Sequence, residues 1–194
     1  RGPVYVCLDV GLQEMALDAP PEISNIARFE PGAAPSPAPE ALKRAADLLA
    51  KAERPLILAG RVSRDPQSWA DRVRLAEFLD ARVLSDLKAG AVFPTDHPLH
   101  PEPPFRRPGQ NVSALIAQAD VILGLDWIDP AGTFKLATGK TDSAATFINC
   151  SMDSHLHNGW SMDHHILPAV DLVLPCPPDT AVPLLLDALK ARGG

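Results

Sequence analysis

Two periodicities alternate along most of this chain. Leu42, Ala45, Ala46, Leu49 and Ala52 recur at the spacing of a helix face, with Pro39 suited to the first turn. Arg54-Pro55 ends that pattern, and residues 56–59 form an unbroken apolar run closed by Gly60. Such a run suits a parallel strand covered on both faces. Asp65-Pro66 is a cap followed by a proline, which predicts a helix with Trp69, Val73, Ala76 and Leu79 on one side. A strand over 82–85 follows, and after a loop Val112, Leu115, Ile116 and Ala119 mark another helical stripe. Residues 120–125, 146–150 and 171–174 read as further strands. Asp179 is placed to cap a last helix whose Val182, Leu185, Leu186 and Leu189 face inward.

Strand and helix in alternation, joined by short links, predict an α/β fold, a doubly wound parallel sheet with helices on both faces. The two most apolar runs, 56–59 and 121–125, should be parallel, central and adjacent. In such sheets the reversal of strand order normally falls between the first and fourth strands. By count 121–125 is only the third, so an extra strand is expected within 87–109.

The beginning of the chain differs. It opens Arg1-Gly2-Pro3 without an initiating Met and runs into the strand-like Val4-Tyr5-Val6-Cys7-Leu8. A strand there needs neighbours that the next residues do not supply. Pro20, Pro21, Pro31, Pro35, Pro37 and Pro39 then crowd residues 19–39. Proline fixes φ and removes a donor, so this stretch should be an extended linker. The expected organisation is a leftover strand over 1–18, a linker over 19–39 and a domain over 40–194.

Composition narrows the function classes. The 194 residues are 46% hydrophobic and 22% charged, with a formal net charge of −6, ordinary for a soluble globular domain. No basic stripe suggests nucleic acid, and no apolar run approaches a membrane span. A cytoplasmic location is expected. Cys7, Cys150 and Cys176 each lie in an apolar run, which favours buried reduced thiols over disulfide or metal chemistry.

Candidate chemistry is sparse. The turn Gly60-Arg61-Val62-Ser63-Arg64 occupies the place of a glycine-rich phosphate loop. It has only one glycine, so a plain strand-to-helix turn is favoured, although Arg61 and Arg64 could pair with a phosphate. His155, His157, His164 and His165, with Asp153 and Asp163, cluster in sequence but match no standard zinc spacing. Surface histidines are the favoured reading, and His97 before Pro98 should be held by its turn. Asp86 with Lys88 could cap the loop after Ser85. Neither a G-x-S-x-G elbow nor a GKS/T phosphate loop is present.

Several stretches, in order and in register, resemble thiamine-diphosphate enzymes of the acetolactate synthase, benzoylformate decarboxylase and oxalyl-CoA decarboxylase kind. Gly2-Pro3-Val4-Tyr5-Val6, with Asp9-Val10 and Gln13, resembles the strand closing their N-terminal pyrimidine-binding domain. The stretch from Ala46 to Gly60 resembles the helix-to-strand opening of their central domain. Lys88, Gly90, Ala91, Phe93-Pro94 and His97-Pro98-Leu99 match its long loop, and Ala119-Asp120-Val121-Ile122-Leu123 matches a later strand. Residues 148–153 resemble an Ile-Asp-Ile-Asp strand end, with Ser151 and Asp153 at the acid positions.

The resemblance implies a Rossmann-like, DHS-type nucleotide-binding fold and a central domain cut from its flanking domains. In the family, Gly-Asp-Gly…Asn holds the diphosphate and Mg²⁺ in the third domain, and a glutamate of the first domain activates the cofactor. Neither is found here, so no catalytic residue and no metal ligand is expected, and the chain should bind no cofactor itself. The parent enzyme would use thiamine diphosphate and Mg²⁺ on 2-oxo acids, as a decarboxylase or carboligase. Its partners would be the flanking domains and other subunits, in a dimer or tetramer. Some members hold FAD or ADP at positions corresponding to Gly60, Arg61, Asp126 and Asp153. Arg61, Val62 and Asp126 stand where FAD-binding members show glycine, so that site should be degraded, with Arg61 neutralising Asp126. A free-standing NAD(P)- or ADP-binding domain is the alternative.

Overall fold

The computed structural model describes residues 5–30, 32–153 and 166–192, and the chain divides into two units, Arg1–Ala33 and Ala34–Gly194. The first holds a short helix α1 (Val10–Glu14), capped by Asp9, and a 3-10 turn over Ile26–Phe29. Its described residues are all exposed, and the expected strand over 4–8 is not formed at residues 5–8. A strand needs a hydrogen-bonded neighbour, and this unit provides none among the described residues. Cys7 is accordingly exposed instead of buried.

The second unit is the expected α/β sheet. Strands β1 (Pro55–Ala59), β2 (Arg82–Ser85), β3 (Val121–Leu125), β4 (Thr146–Cys150) and β5 (Leu172–Leu174) lie in the order β2-β1-β3-β4-β5. All pairings are parallel, and β1 and β3 are adjacent, with Ile57 opposite Leu123 and Ala59 opposite Leu125. The order reverses between β1 and β3. Strand alternation then sorts the core into two layers. Ile57, Ala59, Leu123, Leu125 and Ile148 pack under helices α2 (Pro39–Ala50), α3 (Pro66–Leu79) and α6 (Pro178–Lys190). Leu56, Leu58, Leu84, Ile122 and Phe147 face the other way, against α4 (Gln110–Gln118) and α5 (Pro130–Thr138). No helix of the described residues is long and apolar enough to cross a membrane.

Residues 87–109 contain no strand. Pro94, Pro98, Pro101, Pro103, Pro104 and Pro108 remove the donors a ladder would need. The segment still covers the outer edge of β2: Val83 N donates to Leu99 O at 2.8 Å and Phe105 N to Ser85 O at 3.2 Å. Those bonds satisfy an edge that would otherwise invite another strand. Helix α5 was not anticipated. Its start is the same device as that of α3, since Asp129 accepts from Gly132 N at 3.0 Å just as Asp65 accepts from Ser68 N at 2.8 Å.

Asp179 does not cap α6; the N-cap is Pro177. Its carboxylate reaches across to accept from Ser63 N at 3.0 Å and from Arg72 Nη1 at 2.9 Å. Arg72, on the inward face of α3, is 2% exposed. The rest of its guanidinium bonds Val92 O at 3.0 Å and Ser63 O at 2.9 Å. One buried cation thus ties the β1–α3 turn, α3, the β2–α4 segment and the start of α6. Removing it takes a donor from the Val92 and Ser63 carbonyls and leaves the Asp179 carboxylate with Ser63 N but without its counter-charge. Arg72→Ala should lower unfolding free energy by about 3 kcal/mol, in the range for breaking one side of a buried ion pair. Urea denaturation measures it, and a loss under about 1 kcal/mol would contradict the clamp.

Candidate functional site

Ligands of open parallel sheets settle at the carboxyl ends of the strands, where the order reverses. Here that point lies between β1 and β3, and its residues are Gly60, Arg61 and Asp126. The β1–β3 ladder continues past the strands: Gly60 N donates to Leu125 O at 3.0 Å and Arg61 N to Asp126 O at 2.9 Å. A Cβ on Gly60 would lie 2.2 Å from Asp126 O and 2.6 Å from Trp127 Cα. Glycine is therefore demanded by backbone contact within the protein. Asp126 has φ 53, in the left-handed region that Asp tolerates better than most residues.

The side chains then converge. Arg61 Nη2 pairs with Asp126 Oδ1 at 2.9 Å and also with Asp153. Ser151 Oγ donates to Asp126 Oδ1 at 2.5 Å and accepts from Asp153 N at 3.0 Å. Arg61 is 41% exposed at its side chain and Asp126 17%, so the group rims the sheet edge. Burial weighs against the Arg61 charge, but hydrogen bonding and attraction from Asp153 and Asp126 outweigh it and hold the guanidinium above its ordinary value. The structure therefore brings together all four residues singled out at this edge, and adds Ser151. Arg64 is elsewhere; its Nη2 lies near Gly90. His155, His157, His164, His165 and Asp163 fall outside the described residues.

A second polar pair lies at the end of β2. Ser85 Oγ and His100 Nε2 are 2.8 Å apart, both buried, and Phe93 stacks on the imidazole at 6.1 Å between centroids. Ser85 also lines a cavity of about 370 Å³ with Trp69, Phe93 and Pro94. Among the described residues His100 Nδ1 is buried with no hydrogen-bond partner, so none of them supplies the third member of a nucleophilic triad. His100 was not singled out from the sequence. His97 was, and its turn does hold it: Nδ1 accepts from Leu99 N at 3.2 Å. Asp86 caps its loop, as considered, by accepting from Lys88 N at 2.8 Å.

Two expectations follow from this geometry. Gly60→Ala forces a methyl into the Asp126 carbonyl and should cost about 3 kcal/mol, the upper range of overpacking. Gly109→Ala, where nothing lies within 4 Å of the added carbon, should change stability by less than about 1 kcal/mol. Equal effects in urea melts would refute the crossing. The second concerns pH. Burial lowers the His100 pKa below its ordinary value of 6.5. As pH falls through that value the unfolded chain takes up a proton that the folded chain refuses, so stability declines until folded His100 also protonates. Melting temperature should therefore fall more steeply from pH 7 to 5 in the natural protein than in His100→Gln. Parallel curves would contradict it.

Comparison with known proteins agrees with the strand order and the sequence stretches. Residues 42–174 match the model of the family described as thiamine pyrophosphate enzyme, central domain. A sulfoacetaldehyde acetyltransferase of Rhodobacter capsulatus is 38% identical over 91 residues, 47% of this chain and 15% of the relative. A probable acetolactate synthase large subunit of Methanocaldococcus jannaschii is 35% identical over 102 residues, 50% of this chain and 17% of that protein. The chain thus spans less than a fifth of these relatives. Among solved structures, benzoylformate decarboxylase from Polynucleobacter necessarius superposes with a TM-score of 0.58 at 24% identity, covering 89% of this chain and 30% of that one. A putative thiamin diphosphate-dependent enzyme from Mycobacterium smegmatis gives 0.61 at 18% identity, over 82% and 29%. These two likenesses concern the fold alone. With the family match running through β1 to β5, the chain belongs to the central-domain family of thiamine pyrophosphate enzymes.

Proposed function

We propose that this chain is the structural, non-catalytic central domain of a thiamine-diphosphate-dependent enzyme that acts on 2-oxo acids, as a decarboxylase or carboligase. Its work there is to carry contacts between domains and between subunits of a cytoplasmic dimer or tetramer, with neither nucleic acid nor membrane as partner. The observation that carries this reading is the family match over 42–174, on a sheet whose ligand-side edge is occupied by an ion-pair group. The residues present do not fit thiamine diphosphate with Mg²⁺. Among the described residues no cluster of three or more His, Cys, Asp or Glu could hold a metal ion, and the sequence has no Gly-Asp-Gly. That cofactor and its metal belong to the flanking domains of the parent protein.

FAD or ADP, which some members of the family hold at this edge, fits no better. The N–H groups of Gly60 and Arg61, which a pyrophosphate would need, donate instead to Leu125 O and Asp126 O. Arg61, the cation that would receive a phosphate, is engaged by Asp126 and Asp153. Two carboxylates against one guanidinium would repel a further anion. At ~4 Å and an effective dielectric near 20, one such like-charge contact costs on the order of 4 kcal/mol. We read the site as closed. An independent NAD(P)- or ADP-binding domain would need unengaged N–H groups at this turn, and those of Gly60 and Arg61 are engaged.

Carbon dioxide release from pyruvate by the whole protein, dependent on added thiamine diphosphate and Mg²⁺, tests the activity. Sulfoacetaldehyde, named for several relatives, is the second substrate to try with the same cofactor. No thiamine-dependent turnover of any 2-oxo acid or of sulfoacetaldehyde would refute the proposal. In separate titrations the 194-residue chain should show no one-to-one micromolar binding of thiamine diphosphate or ADP. The whole protein should be colourless; a co-purifying flavin band would show that the edge is open.

A further inference from the structure

Cys150 and Cys176 meet at the opposite flank of the same sheet edge. Cys150 ends β4 and pairs with Leu174 of β5 in the ladder. Two residues on, Cys176 N bonds back to Leu174 O at 2.8 Å, a tight turn around Pro175. That turn sets the two sulfurs 3.9 Å apart, with Cys150 Sγ also 3.4 Å from Cys176 O. Both residues are buried with 0% exposure. We propose that Cys150 and Cys176 form a reversible dithiol–disulfide site, oxidised by small hydroperoxides.

The chemistry balances with a named oxidant. The thiolate of one cysteine attacks one oxygen of hydrogen peroxide, the O–O bond breaks, and that cysteine becomes a sulfenic acid as hydroxide leaves with a proton as water. The sulfur of the other cysteine then attacks it, forming the S–S bond and expelling the sulfenic oxygen as a second water. Two thiols are oxidised and one peroxide is reduced to two waters. The thiolate form is the nucleophile, and the contact between the sulfurs places either one within reach of the other. With both residues at 0% exposure, the site admits small oxidants only.

Oxidation at this point has a structural consequence. Cys150 O accepts from Asp126 N at 2.8 Å, and the next residue, Ser151, holds the Asp126 carboxylate. A bond from Cys150 to Cys176 would fix the strand end that positions the Arg61–Asp126–Asp153 group. This inference concerns the thiols alone and stands whether or not the parent activity is as proposed.

The test is a peptide map of the purified protein after hydrogen peroxide, at a dose that oxidises free cysteine in the same solution. Samples are then unfolded and alkylated in one step. The expected result is a crosslinked pair joining the peptides of residues 150 and 176, lost on adding dithiothreitol. In Cys150→Ser or Cys176→Ser, where the resolving partner is gone, a sulfenic-acid probe such as dimedone should label the remaining one of the pair at least tenfold more than in the natural protein. Full alkylation of both cysteines in the peroxide-treated natural protein would overturn the proposal. So would one of the two irreversibly oxidised with the other left free. The natural-protein map decides the matter even if a variant fails to fold.

Discussion

Between β1 and β3 the hydrogen-bond ladder does not stop where the strands do. Gly60 N reaches Leu125 O, Arg61 N reaches Asp126 O, and on the far side Asp126 N reaches Cys150 O. The two loops that leave β1 and β3 side by side are therefore pinned backbone to backbone for one residue beyond the last strand pair, and the second is also held to the end of β4. The pinning dictates the rest of the edge. It permits no Cβ at position 60, turns Asp126 into the left-handed region, and presents Arg61, Asp126 and Ser151 to one another at bonding distance. The side-chain network is thus a result of the backbone crossing, reinforced by charge.

The flank over α3 and α6 depends on a different kind of contact. Arg72 sits where the inward stripe of α3 would ordinarily carry an aliphatic residue, between Trp69 and Leu75. Its burial is tolerable because the guanidinium's bonds to Val92 O, Ser63 O and Asp179 replace water. Burial lowers its pKa, and the attraction of Asp179 opposes that shift. The effect is to attach the irregular β2–α4 segment, which has no ladder of its own, to the helical layer. That segment in turn covers the β2 edge and brings His100 to Ser85.

These contacts explain what could be read from the chain and what could not. The strands were legible because 56–59, 121–125 and 146–150 are buried on both faces, and an unbroken apolar run has few other homes. The adjacency of β1 and β3 followed from the same runs, and the pairing of Arg61 with Asp126 followed from that adjacency. Helix α5 was missed because Ala131, Gly132 and Thr133 give no apolar stripe; Asp129-Pro130 was the available signal. Asp179 looked like a cap by spacing alone, whereas its carboxylate serves Ser63 and Arg72, more than a hundred residues away in sequence. His100 sat in a proline-rich stretch with no periodicity to place it. Local rules found elements, and the long-range polar contacts of Asp179 and His100 escaped them.

Gly60 shows that one residue type can be required for more than one reason. After the first strand of an open α/β sheet, a glycine is commonly read as room for a phosphate. Here the room is filled by the carbonyl of Asp126, 2.2 Å from where a Cβ would be, so the glycine serves a protein–protein backbone contact within the same sheet. The distinction is one of neighbours. A phosphate loop needs successive unengaged N–H groups facing outward, and at this edge the N–H groups of Gly60 and Arg61 are both spent on β3 and its loop. With those donors engaged and Arg61 paired to two carboxylates, an anion at this edge would have to displace contacts made within the protein. The backbone contact that extends the β1–β3 ladder is thus the same contact on which the proposed closure to nucleotides rests.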